Sequence, residues 1–151
     1  MHLSPGEAVA YMHDIREQLP AKGTDVRRVV FPVAYCLTPH VQEAAATAKI
    51  EVGAQNIHWE EKGAFTGELS GTGLRDLGVH WCLIAHSERR QYFAETDETA
   101  VKRLSRALSL GFNIVYCIGE KLSEREAGKT EAVLKNQLEP VARLLKEVLA
   151  T

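Results

Sequence analysis

The stretch Trp81-Cys-Leu-Ile-Ala-His-Ser-Glu-Arg-Arg90 decides the fold. A short apolar run ends abruptly in a histidine, a serine, an acid and two arginines. An apolar run of that length between polar flanks predicts a strand buried on both faces. Such a strand delivers His86 and Glu88 at its carboxyl end, where parallel α/β sheets keep their active sites. Ser87 to Phe93 can form a short helix that starts at the histidine.

The chain on either side keeps the same rhythm. Downstream, Thr96 or Asp97 caps a helix whose buried stripe is Val101, Leu104, Ala107 and Leu108, ended by Gly111. Asn113 to Ile118 is the next strand. Ser123-Glu-Arg-Glu126 reads as a capping box. The helix beyond it carries Val133, Leu134, Leu138, Val141, Leu145 and Val148, and Gly128 and Pro140 kink it or split it. Upstream, Ser70 caps a helix through Leu77 that Gly78 closes. Ile57 to Leu69 is long and polar, and long loops in compact domains are usually functional. Before it come a strand at Ile50 to Ala54, a helix opened by Thr38-Pro39, and a strand at Val29 to Phe31 with Pro32 near its end. Ser4-Pro5-Gly6-Glu7 starts the first helix, with Ala8, Met12, Ile15 and Leu19 at helical spacing. Pro20 ends that helix, and Lys22 to Asp25 form a turn.

The order is α-β-α-β-α-β-α-β-α. Strict alternation implies parallel strands joined by right-handed crossovers, in an open doubly wound sheet or part of a barrel. Phe31 to Cys36 holds no G-x-G-x-x-G, which argues against a dinucleotide site. The chain has 151 residues, 45% apolar and 25% charged, with a net charge of −2. That balance gives no electrostatic case for nucleic acid or an anionic membrane. No apolar stretch approaches the roughly 18 residues of a membrane span, and Met1 to Pro5 has no signal-peptide pattern, so a cytoplasmic protein is expected. Cys36, Cys82 and Cys117 are widely spaced in or beside strand-like runs, which predicts buried thiols in a reducing compartment. His2, His13, His40 and His80 lack the mutual spacing of a metal site. No metal and no cofactor are expected.

Gly63-Ala-Phe-Thr-Gly-Glu68, Ala85-His-Ser-Glu-Arg-Arg90, and Cys117-Ile-Gly-Glu120 with Arg125-Glu-Ala-Gly128 resemble the triosephosphate isomerase family. The resemblance runs in order from near residue 4 to near residue 150. It implies a (β/α)8 barrel, a fold of typically about 250 residues. This chain would hold the family's helices 1 to 5 and strands 2 to 5. The expected fold is therefore α/β, a partial TIM barrel of about half its circumference, with four parallel strands and flanking helices in a single domain over residues 1–151. The family's first strand, with its asparagine and lysine, is not encoded. Neither are the strand bearing the base glutamate, the closing lid, or the later phosphate-binding loops.

The resemblance also implies roles. The family interconverts dihydroxyacetone phosphate and glyceraldehyde 3-phosphate through an enediol(ate), a step of glycolysis and gluconeogenesis. His86 matches its electrophile, a neutral imidazole kept so by a helix N-terminus, an arrangement for which this family is itself the standard example. The competing reading of His86 is a strand-end histidine that only packs or caps. Glu88 matches a supporting acid, although a solvated or arginine-paired carboxylate fits equally. Glu68 and Arg89 resemble a structural ion pair that Glu95 can share, and Cys117 a structural cysteine. The glycine of Cys117-Ile-Gly119 would permit a tight turn. Gln55, Phe65 and Thr66 match the dimer interface, with Thr66 at the tip of a loop that could otherwise be a mobile surface loop. Triose phosphate is the implied substrate, and a homodimer or other self-association the implied assembly, without nucleic acid or membrane.

Three functional readings compete. One is the isomerase, with the 151 residues inactive by themselves for want of lysine, base and phosphate loops. Another is a non-catalytic half-barrel that only self-associates. A third is a different acid–base enzyme using His86 and Glu88 alone.

Overall fold

The computed structural model describes residues 2–19 and 26–150. Pro20 and the Lys22 to Asp25 turn lie outside the described residues. Four strands form one parallel sheet in chain order: β1 (Val29–Val30), β2 (Glu51–Ala54), β3 (Trp81–Ile84) and β4 (Asn113–Tyr116). The helices are α1 (Pro5–Gln18), α2 (Pro39–Thr47), α3 (Gly71–Asp76), α4 (Ser87–Tyr92), α5 (Asp97–Ser109), α6 (Leu122–Glu126) and α7 (Thr130–Leu149). A 3-10 turn over Ala34–Cys36, which the sequence pattern did not predict, follows β1. The class is α/β, and four adjacent parallel strands with flanking helices match the partial barrel that the resemblance implies.

Helix starts follow local chemistry. The side chains of Ser4, Thr38, Ser70 and Thr96 each accept from a backbone N–H three residues on, satisfying donors that a helix cannot pair internally. Ser4 and Glu7 complete a capping box. The box expected at Ser123 is displaced. The helix starts at Leu122, and the Glu124 carboxylate accepts from Lys121 N–H at 2.7 Å. Gly128, at φ 67°, separates α6 from α7, whereas Pro140 lies inside a continuous α7.

The sheet's two faces differ. Val30, Val52, Ala54, Cys82, Ile84, Ile114 and Tyr116 join the core together with the helices. Met12 of α1, Ala44 and Ala45 of α2, Leu74 of α3, Leu104 of α5 and Val141 of α7 belong to it. The other face carries Glu51, Gly53, Trp81, Leu83, Asn113 and Val115. Of these, Trp81 and Leu83 are half-buried, and Asn113 and Val115 are exposed. The expectation of a strand buried on both faces is therefore corrected. β3 alternates between half-buried and buried because helices cover one side of it only. The α7 stripe is corrected similarly: Val141 is buried, but Leu138, Leu145 and Val148 are exposed. Among the described residues, no helix is long and apolar enough to cross a membrane.

Gly53 marks a close approach across the half-covered face. A Cβ there would overlap the Phe31 ring and lie 2.8 Å from Trp81 Cβ. The ring could swing away, but Trp81 Cβ is fixed to the paired strand. Gly53→Ala is expected to destabilise the chain by about 1–3 kcal/mol through overpacking. Urea unfolding, with an unchanged m-value, measures it.

Candidate active site

His86 follows β3 and caps α4. Its Nδ1 accepts from Glu88 N–H at 3.3 Å. An imidazole whose Nδ1 accepts carries its proton on Nε2, which is left as a donor. The Glu88 carboxylate lies 3.7 Å from the same Nδ1, with its side chain 73% exposed against 41% for His86. Histidine and acid are thus brought together at the carboxyl end of the sheet, on an open surface. A cavity of about 570 Å³ opens elsewhere, between α1 and α2, and is lined by none of these residues.

The backbone beneath His86 is tied on both sides. Ala85 adopts φ 64°, a left-handed conformation unfavourable for a residue with a Cβ. Its N–H donates to Glu95 Oε1 at 2.9 Å, and its carbonyl accepts from Arg90 Nε at 2.9 Å. Arg90 also reaches Asp97 of α5.

A buried ion cluster joins this turn to the 57–69 loop. Arg89 Nε donates to Glu95 Oε2 at 2.7 Å. Arg103 donates through both terminal nitrogens to Glu68, each at 3.0 Å, and also to Asn56 Oδ1 and Ile57 O. Its Nε lies 3.4 Å from Glu95 Oε2 without hydrogen-bond alignment. The expected Glu68–Arg89 pair is therefore corrected. Glu68 takes Arg103, Arg89 takes Glu95, and Arg103 stands between the two acids. Sequence reading passed over Arg103, although it lies on the apolar stripe of α5 beside Ala100, Leu104 and Ala107. A cation at a core position was the available signal.

The loop packs along α5. The Trp59 ring lies under Arg103, the His58 ring between Trp59 and Phe65, and Glu61 beside Arg106. His58 is buried with Nδ1 3.5 Å from Glu68, and neither ring nitrogen forms a hydrogen bond among the described residues. Phe65 and Thr66 are exposed at the tip. Gln55 is exposed and donates to Phe31 O at 2.9 Å.

Cys82 is buried in β3, and burial pushes its thiol up to about 12. Cys36 is buried in the 3-10 turn rather than a strand, its thiol also raised by burial. Cys117 is half-buried, with burial raising its thiol and Arg90 partly opposing. The turn after it does not need glycine: Gly119 has open space for a Cβ. Gln137 of α7 holds it instead, its amide exchanging two hydrogen bonds of 2.9 Å with the Gly119 backbone.

The hydrogen bonds from Arg103 hold the Glu68 carboxyl below its ordinary 4.5, against the opposing effect of burial. A lowered folded value means that stability from Glu68 is complete above the unfolded value and is lost as pH falls through the folded one. Urea-unfolding free energy is expected to decline from about pH 4.5 downward, with Glu68→Gln reducing that slope.

A family model described as Triosephosphate isomerase matches residues 1–150. The chain is 46% identical over 138 residues to the triosephosphate isomerase of Alkaliphilus metalliredigens, an alignment covering 91% of this chain and 54% of that protein. It is 45% identical over 138 residues to that of Acetivibrio thermocellus, with the same coverage. It is 45% identical over 137 residues to that of Thermoanaerobacter pseudethanolicus, again covering 91% and 54%. The chain thus spans about half the length of the curated relatives it matches. On these grounds the chain belongs to the triosephosphate isomerase family.

Proposed function

We propose that residues 1–151 form one partial-barrel unit supplying the electrophile side of a cytoplasmic triose phosphate isomerase site. The hydrogen bond from Glu88 N–H to His86 Nδ1 carries this reading. It leaves Nε2–H as a donor at the carboxyl end of β3. In the interconversion of dihydroxyacetone phosphate and glyceraldehyde 3-phosphate, negative charge develops on two neighbouring oxygens as a carbon-bound proton leaves. A positioned donor stabilises that charge more in the transition state than in the ground state. Glu88 supports the ring; Glu68, Arg89, Glu95 and Cys117 act as architecture. Gln55, Phe65 and Thr66 supply a dimer contact.

Proton abstraction needs a positioned base, and phosphate needs its own donors. The matching family residues fall outside these 151, so the 151 residues by themselves are proposed not to turn over. In a host lacking its own isomerase, the purified chain is expected to show kcat/KM more than about a hundredfold below ordinary enzymes. Co-expression with the remaining half of the Alkaliphilus relative is expected to restore activity, and His86→Gln to lower it by about 10²-fold or more. Activity of the chain alone within that hundredfold, or indifference to His86→Gln, would sink the proposal.

The half-covered sheet face favours a second reading, a non-catalytic half-barrel that self-associates. Leu83 and Val115 sit there on paired strands, and exposed apolar faces beside open strand edges promote association. A stable monomer by light scattering at micromolar concentration would remove it.

A further inference from the structure

Ala85 sets the direction in which the chain leaves β3, and therefore where His86 sits. Its left-handed backbone is not held by its own strand. The N–H is taken by Glu95, whose side chain is 1% exposed. Glu95 in turn faces two guanidinium groups, Arg89 within α4 and Arg103 from α5. Arg89 is local to the turn. Arg103 is not, since among the described residues every hydrogen bond of its guanidinium goes to the other end of the cluster: Asn56, Ile57 O and both oxygens of Glu68. With its side chain 6% exposed, the guanidinium is largely desolvated, and a lost partner is costly. A shift of Glu68 or of the loop ends must therefore move Arg103, and a moved Arg103 changes the field at the carboxylate that fixes Ala85.

We propose that Arg103 is a positioning residue that couples the 57–69 loop, through Glu95, to the Ala85 turn that aims His86. Its consequence for catalysis rests on the isomerase reading above, whereas the coupling itself is measurable without turnover.

Amide hydrogen exchange on the 151-residue chain tests it. Arg103→Met is expected to speed exchange at Ala85 about tenfold or more, with a similar rise at His58, whose N–H bonds Leu69 O. Met12 in α1 should stay within about twofold, which separates coupling from general loosening. Glu68→Gln is expected to speed Ala85 exchange in the parent chain and to add nothing in Arg103→Met. If Arg103→Met does not fold, Arg103→Lys decides, since it keeps the charge and loses the fork; about threefold faster exchange at Ala85 is expected. Unchanged Ala85 exchange in the folded variant, or additive effects of Glu68→Gln, overturns the proposal. In the co-expressed isomerase, Arg103→Lys is expected to lower kcat about tenfold with KM within about twofold; a rise in KM alone overturns the positioning role. If that enzyme does not turn over, the isomerase reading fails and the exchange result still decides the coupling.

Discussion

Arg103 lies at a core position of α5, where an unpaired guanidinium could not be tolerated. Removing one partner of a buried ion cluster costs about 3–5 kcal/mol, far more than an exposed pair contributes. The cation is therefore acceptable only while Glu68 and Glu95 both stand beside it. That condition ties three parts of the chain to one point: the end of a long polar loop, the turn after β3, and the middle of α5. His86 is built on the second of these, and Trp59 on the first. The cluster ties the loop at both ends, through Asn56, Ile57 and Glu68, while Thr66 is exposed at its tip.

The sheet is asymmetric in a way that bears on function. One face faces the core built with α1, α2, α3, α5 and α7, and the other bears Trp81, Leu83, Asn113 and Val115 with partial cover. Glu51 and Arg27 form a polar group at the amino end of that face, where Glu51 also accepts from the Trp81 indole at 2.8 Å. His86 lies at the opposite, carboxyl end. An open face of this kind suits a larger barrel, in agreement with relatives of which this chain spans about half.

Much of the architecture was legible in the residues. Caps at Ser4, Thr38, Ser70 and Thr96 were readable because each side chain reaches only three residues along the chain. The strands were readable because short apolar runs alternate with helical periodicity, and that alternation implies parallel pairing. The partners of Arg103 and Gln137 were not readable, since they lie 35 to 47 and 18 residues away. Pattern alone treated Gly119 as the maker of a turn that Gln137 holds.

By itself, the sequence determined the alternation of strands and main helices, the parallel sheet, and the placement of His86 and Glu88 just beyond a strand. These follow from spacing and capping over a few residues. The tertiary structure decided which acid pairs with which arginine, which sheet face is covered, and how Ala85 is held at positive φ. Those outcomes depend on contacts between segments distant in the chain. There, desolvation leaves a buried charge no alternative to the partner the fold brings to it.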